Sequence, residues 1–211
     1  MTRTKIFATQ IGNLTDARYF AANEAVQWLS FVCDPTDEFY LPPAAVAAIQ
    51  AWVEGPTMVG AFGWQSAAEI RRTAEALQLS ALQLPMFTPR EDLAALSDYT
   101  LILKIAIEAT TKETDVADLM AETAPFVKYF LLDFLTNAVS WSAGQPLSNP
   151  FLQHLCQKYA VFLEVDFDAS TMPTILATYS LEGLCLRGGK EEQVGVKSFD
   201  ELNDILEALE V

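Results

Sequence analysis

The sequence predicts a single eight-stranded parallel β/α barrel that spans residues 1–211. Short β-branched or aromatic runs alternate strictly with amphipathic helical segments, eight of each, along the whole chain. A length of 211 residues fits the range of about 200–250 that such barrels occupy as one domain. Runs such as residues 130–132 are apolar throughout, as a parallel sheet covered by helices requires.

The predicted elements follow from periodicity and from residues typical of helix ends. Ser66 is followed three residues later by Glu69, the spacing of a capping box, and Thr15-Asp16 is a second candidate helix start. The strands are expected at residues 5–8, 27–33, 57–62, 81–84, 100–107, 128–133, 161–166 and 183–187. The helices are expected at residues 15–23, 43–52, 66–77, 89–96, 113–124, 149–158, 170–178 and 198–209.

Alternating strands and helices form either an open doubly wound sheet or a closed barrel. An open nucleotide-binding sheet usually has a glycine-rich turn after its first strand, whereas residues 9–13 contain a single glycine, Gly12. The number of units and the length therefore favour a closed barrel. No linker, repeat or low-complexity tract divides the chain, which predicts one domain.

Composition excludes several classes of partner. The net charge is −15, from 28 acidic and 13 basic residues, which argues against binding to nucleic acid or to anionic membrane surfaces. No apolar run approaches the roughly 20 residues that span a bilayer, and the start of the chain lacks the apolar core of a signal peptide. We expect a cytoplasmic protein, in which an anionic ligand needs a local positive site. No helix face stands out as an apolar patch, so the sequence predicts no oligomeric state.

The reactive residue types are few. Cys33, Cys156 and Cys185 have no CxxC spacing, which indicates buried free thiols rather than a zinc site. His154 is the only histidine and lies in a predicted helix, so neither a histidine-rich metal centre nor Ser-His-Asp chemistry is expected. We expect neither a metal nor another cofactor.

Polar residues at strand ends predict the functional site, because β/α barrels carry their active sites at the C-terminal ends of the strands. These strands are neighbours around the barrel, so their polar ends are expected to converge on one half of its mouth. The candidates are Gln83 on strand four, Lys104 on strand five, Asp133 on strand six, Glu164 and Asp166 on strand seven, and Arg187 on strand eight.

Each catalytic candidate has two interpretations. Lys104 lies within an apolar strand, where a buried ammonium needs a partner such as Asp133, and that pair is either structural or catalytic. Glu164 and Asp166 alternate with apolar residues and are expected to face the same way. They form either an acid–base pair or the counter-charges of Lys104 and Arg187.

The segment Arg187-Gly188-Gly189-Lys190 is the predicted anion site. Adjacent glycines can form a nest of backbone N–H groups, and the two flanking cations add positive charge. Barrels often bind phosphate at the loops that follow strands seven and eight. We therefore expect a small anionic metabolite as the ligand.

Short segments in the same order and spacing make the chain resemble the phosphoribosylanthranilate isomerases over nearly its full length. They are Lys5-Ile6, Asn13-Leu14-Thr15-Asp16-Ala17-Arg18, Leu29-Ser30-Phe31-Val32, Val59-Gly60-Ala61-Phe62, Leu82-Gln83-Leu84, Leu103-Lys104-Ile105-Ala106, Leu131-Leu132-Asp133 and Gly195-Val196-Lys197. The resemblance implies a β/α barrel and an Amadori rearrangement in tryptophan synthesis. It also implies a cysteine general base after the Lys-Ile of strand one and an aspartate general acid ending strand six.

Asp133 keeps the acid position of that family, whereas Phe7 occupies the position of the cysteine base. The family's arginine after strand two is replaced by residues 37–40, its strand-four histidine-glycine by Pro85-Met86, and its phosphate-binding glycine pair after strand seven by Val165-Asp166. Phenylalanine cannot accept a proton, so the resemblance keeps one of the two catalytic partners.

Three hypotheses follow. The first is a diverged barrel that binds a small anionic or phosphorylated metabolite, without catalysis or with changed chemistry. The second is a genuine isomerase in which Glu164 or Asp166 replaces the missing base. The third is a catalytically silent protein that contacts a partner.

Overall fold

The computed structural model of the protein describes residues 5–141, 144–188, 191–193, 196–197 and 199–209. In this part of the chain eight parallel strands close into a barrel in sequence order, each hydrogen-bonded to the next and β8 to β1. The predicted fold class is confirmed. The strands are β1 (Lys5–Thr9), β2 (Val26–Val32), β3 (Thr57–Ala61), β4 (Ala81–Pro85), β5 (Thr100–Ala106), β6 (Tyr129–Asp133), β7 (Val161–Glu164) and β8 (Gly183–Arg187).

Helices follow the strands as the periodicity predicts. Ser66 and Glu69 form the predicted capping box of α3, whereas α1 is capped by Asn13, whose side chain accepts from the Asp16 backbone N–H, and not by Thr15 or Asp16. The described helices are α1 (Leu14–Ala21), α2 (Pro43–Gln50), α3 (Ala67–Ala76), α4 (Arg90–Ala95), α5 (Glu113–Thr123), α6 (Asn149–Lys158), α7 (Met172–Thr178) and α8 (Asp200–Ala208).

Two features differ from the prediction. Strand β7 ends at Glu164, two residues earlier than predicted, so Asp166 lies in the loop that follows. A short antiparallel hairpin, β9 (Glu191–Gln193) and β10 (Val196–Lys197), precedes α8 and was not predicted. Its strands have three and two residues, too few for an alternating apolar pattern to be recognised.

The barrel interior has an apolar layer beneath the mouth. The Phe7 and Phe162 rings meet edge to face with their centroids 5.3 Å apart, and Trp28 packs beside both. This inner cluster consists of Phe7, Val59, Ala81, Ile102, Tyr129, Leu131, Phe162 and Cys185. A larger core lies between the sheet and the helices. The interior is therefore a packed core that supports the residues at the mouth.

The cysteines and the histidine lie where the sequence places them. All three cysteines are free and buried, and desolvation raises the pKa of Cys33 and of Cys156 to about 12. His154 is exposed on α6. Among the described residues no group of three or more histidine, cysteine, aspartate or glutamate side chains is arranged to hold a metal ion. Within the same residues, no helix has both the length and the apolarity needed to cross a membrane.

Gly183 lies at the closure of the barrel, where β8 meets β1 and β7. A Cβ at this position would lie 2.2 Å from the Lys5 carbonyl oxygen. We expect Gly183→Ala to destabilise the protein by about 1–3 kcal/mol, because the backbone of β1 must shift to relieve the contact. Urea unfolding measures this change.

Gly12→Ala is the matched control, since a Cβ there would lie 3.8 Å from its nearest neighbour, an ordinary contact. Equal unfolding midpoints for the two variants would contradict the proposed role of Gly183 in closure.

Candidate functional site

Polar side chains face inward at the C-terminal ends of seven of the eight described barrel strands. Strand alternation places them there, because their sequence neighbours point outward to the helix-covered core. They are Thr9 on β1, Ser30 on β2, Gln83 on β4, Lys104 on β5, Asp133 on β6, Glu164 on β7 and Arg187 on β8. The predicted convergence of strands four to eight is therefore present, and two further strands contribute.

Two cations and two carboxylates form an ion-pair network in this layer. Lys104 Nζ lies 2.8 Å from Asp133 Oδ2 and 4.0 Å from Glu164 Oε2. Arg187 Nε donates to Glu164 Oε1 at 3.0 Å, and its Nη2 lies 3.4 Å from Asp133 Oδ1. Each cation thus lies near both carboxylates. The predicted Lys104–Asp133 pair is present, and Glu164 is a counter-charge of Arg187.

Asp133 is held as a carboxylate. Its side chain is fully buried and accepts hydrogen bonds from the backbone N–H groups of Leu135 and Thr136 and from the Thr136 hydroxyl. Burial opposes ionisation, but the Lys104 ammonium and the hydrogen bonds outweigh it, so the pKa of Asp133 lies below its ordinary value. The surroundings of Asp133 therefore favour its ionised form.

Glu164 is tied to three neighbours. Its Oε1 accepts from the Thr9 hydroxyl at 2.9 Å and from Arg187, and its Oε2 faces Lys104. The carboxylate is 2% exposed, so these contacts replace water. The first strand is thereby joined to the seventh and eighth.

Asp166 lies apart from this network. Its side chain is exposed beyond the end of β7, and its main-chain carbonyl accepts from the Trp141 indole N–H at 3.0 Å. The expectation that both acids face the same way rests on strand alternation, and Asp166 lies beyond the end of that strand. An acid–base pair of Glu164 and Asp166 remains a prediction.

The predicted anion-binding segment is only partly described. Arg187 ends β8, and the Gly188 N–H donates to the Thr9 carbonyl at 3.3 Å. Gly189 and Lys190 lie outside the described residues. Anion binding at this segment remains a prediction.

A pocket of about 120 Å³ opens at the mouth between β1 and β5. This volume is below the roughly 300–1,000 Å³ of drug-sized ligand sites, so the pocket suits a small group. Its polar lining comes from barrel strands and from the β2–α2 loop: Thr9, Ser30, Gln83, Lys104 and Glu164 on the strands, and Asp34 and Asp37 on the loop.

Beside the pocket, the exposed Trp64 stacks on Phe87 with ring centroids 3.7 Å apart.

Three contributors were missed by the sequence prediction. Extending the alternation of β1 past Ala8 would have found Thr9, and the same alternation through Trp28 would have found Ser30. Thr136 belongs to a turn after Asp133, for which an aspartate followed three residues later by threonine is a weak signal.

Phe7 lies beneath the polar layer, fully buried in the inner apolar cluster. The residue of β1 that reaches the mouth is Thr9, whose hydroxyl donates to Glu164. Neither side chain is a base at neutral pH.

No protein-family model and no curated protein sequence matches the chain. Solved structures do match. The phosphoribosyl anthranilate isomerase of Thermus thermophilus is 24% identical with a TM-score of 0.75, and that of Thermotoga maritima is 18% identical with a TM-score of 0.80. A third such isomerase, solved in complex with reduced 1-(o-carboxyphenylamino)-1-deoxyribulose 5-phosphate, is 19% identical with a TM-score of 0.75. Each alignment covers 98% of both chains.

The chain has the phosphoribosylanthranilate isomerase fold. The resemblance inferred from short sequence segments is thus confirmed as a likeness of fold over nearly the whole chain. Because one fold supports many activities, the site itself must decide the chemistry.

Asp133→Asn tests the charge network. Asparagine leaves Lys104 and Arg187 with Glu164 as the remaining carboxylate partner, so we expect a loss of about 3–5 kcal/mol at pH 7. Folding lowers the pKa of Asp133, so the ionised side chain adds to the free energy of unfolding. This stabilisation is fully present above the unfolded-state pKa of about 3.9 and is lost as the pH falls through the folded-state pKa. The stability difference from the wild type should therefore be constant above about pH 5 and shrink below about pH 4.

Urea unfolding at several pH values measures this difference. Asp98→Asn is the control, because Asp98 pairs with Arg71 on the surface and its loss should change stability far less. A variant at position 133 as stable as the wild type at pH 7 would contradict the network.

Proposed function

We propose that this protein is a diverged relative of the phosphoribosylanthranilate isomerases that binds a small metabolite bearing an anionic group, in the simplest case a phosphate, at the barrel mouth. We propose further that it does not catalyse the isomerisation. The observation that carries this proposal is the contact of the buried Asp133 side chain with Lys104, Arg187 and Thr136.

The loss of isomerase chemistry is argued from both catalytic roles. The resemblance assigns the general acid to Asp133, which must then hold a proton that its neighbours disfavour. The resemblance assigns the general base to the position of Phe7, which is buried in the apolar layer. Losing a single acid or base costs about 10²–10⁴-fold in rate, and here both roles are affected.

Arg187 supports binding of an anion. Two carboxylates fix its guanidinium through Nε and Nη2, and among the described residues its Nη1 has no acceptor. A guanidinium already held in place loses little side-chain entropy when it donates to a ligand. The adjacent segment Gly188-Gly189-Lys190 would add backbone N–H groups and a second cation.

The genuine isomerase is the second candidate, because Glu164 lies near Asp133 at the mouth and a carboxylate can replace a cysteine base. Its Oε1 already accepts from Thr9 and Arg187, so this oxygen is engaged by the protein and is not free to take a proton from a substrate. Phe39, Trp64 and Phe87 are exposed at the rim and give the partner-contact hypothesis its main support.

Calorimetric titration with ribose 5-phosphate tests metabolite binding. We expect binding to the wild type, and an affinity about ten- to hundredfold weaker for Arg187→Lys, because lysine keeps the charge but loses the nitrogen that faces the ligand. Arg72→Lys, on the exposed face of α3, is the control and should bind as the wild type does. Absence of heat with the wild type, or equal affinities for the two variants, would contradict the proposal.

Genetic complementation tests the loss of isomerase activity. Expression of the wild-type chain in a tryptophan auxotroph that lacks the isomerase should not restore growth. Growth that is restored, and is lost again with Asp133→Asn, would establish the isomerase instead.

A further inference from the structure

Gln83 has a polar atom that the fold leaves without a partner. The side chain lies on β4, is 8% exposed and lines the pocket between β1 and β5. Its Oε1 is buried without a hydrogen-bond partner among the described residues. A buried unpaired acceptor costs about 1–3 kcal/mol, so the position favours a donor supplied from the pocket.

The rim of the pocket disfavours a negative charge. Asp34 and Asp37 stand on the β2–α2 loop, while the charges of Lys104 and Glu164 belong to the balanced network. Gly63 makes room for the first of these acids, since a Cβ there would lie 1.9 Å from Asp34 Oδ2. A carboxylate or phosphate placed in this half of the mouth would meet two acidic groups.

The interior of the pocket disfavours an ammonium group as well. Lys104 and an ammonium ligand can both only donate hydrogen bonds, so an ammonium would offer no acceptor to the Lys104 side chain that lines the pocket. The remaining groups are the hydroxyls of Thr9 and Ser30, which donate and accept, the Gln83 amide, and the Glu164 carboxylate, which already accepts from Thr9 and Arg187. A ligand hydroxyl both donates and accepts, so it satisfies all of these neighbours without net charge.

We propose that the Gln83 pocket binds the uncharged, hydroxyl-bearing end of a small polyol. With its amide turned so that Oε1 faces the pocket in place of Nε2, Gln83 accepts from one ligand hydroxyl, and Lys104 Nζ donates to another. The inference rests on the proposed function, that the mouth binds a small anionic metabolite, and adds that the end opposite the anionic group is a neutral polyol.

Two probes isolate this end of the ligand. Ribitol 5-phosphate and 5-phosphoribonate share a phosphate and a carbon chain and differ in a terminal hydroxyl against a carboxylate. By calorimetry, we expect the wild type to bind ribitol 5-phosphate at least tenfold more tightly than 5-phosphoribonate. In nitrogen-15 spectra, its addition should shift the side-chain amide resonances of Gln83.

Variants separate the hydrogen bond from the charge. Gln83→Leu and Gln83→Met should each lower the affinity for ribitol 5-phosphate at least tenfold. Each should keep or raise the melting temperature, because each removes an unpaired buried group. A structural role for Gln83 would lower the melting temperature instead. Gln157→Leu, at an exposed position on α6, is the control.

The double variant Asp34→Asn with Asp37→Asn tests the effect of charge. It should raise the affinity for 5-phosphoribonate severalfold and leave the affinity for ribitol 5-phosphate unchanged.

The outcomes distinguish this inference from the proposed function. Binding of ribitol 5-phosphate that is weakened by Arg187→Lys but unaffected by either Gln83 variant would keep the proposed function and overturn the polyol pocket. Equal affinity for the two probes would overturn it as well. Unchanged Gln83 resonances at saturating ligand would mean that water alone satisfies the amide, with the same consequence.

Discussion

Two buried carboxylates constrain the whole barrel mouth. Asp133 and Glu164 are almost completely removed from water, and each buried ion costs several kcal/mol unless charges and hydrogen bonds replace its hydration. Lys104 and Arg187 supply the charges, and Thr9 and Thr136 supply hydroxyl donors. Because these groups come from β1, β5, β6, β7 and β8, satisfying the carboxylates also fixes how five strand ends meet.

The same network determines what the site can do. The cations and hydrogen-bond donors around Asp133 lower its pKa, so the position that the isomerase resemblance assigns to an acid favours the ionised form. The two cations are balanced by the two carboxylates, and a ligand is therefore attracted by directed hydrogen bonds more than by net charge.

The layer beneath the mouth reinforces that conclusion. Phe7, Trp28 and Phe162 fill the barrel interior with interlocking rings. A titratable group buried at this depth would need its own counter-charge, as Lys104 does one layer higher. The aromatic layer provides a rigid floor, and chemistry is confined to the strand ends and loops above it.

The alternation of strand and helix periods determined the fold from the sequence alone, because a helix must follow each parallel strand to cover the sheet. It also identified Lys104, Asp133, Glu164 and Arg187, since a charged side chain in an apolar strand is stable only where a partner or the barrel mouth receives it. Periodicity reports side-chain direction only while a strand continues, so it could not report the direction of Asp166, which lies beyond the end of β7. The pairing of the charges, the contribution of Thr9 and the unpaired Oε1 of Gln83 were decided by tertiary structure, because each depends on distances between strands far apart in the chain.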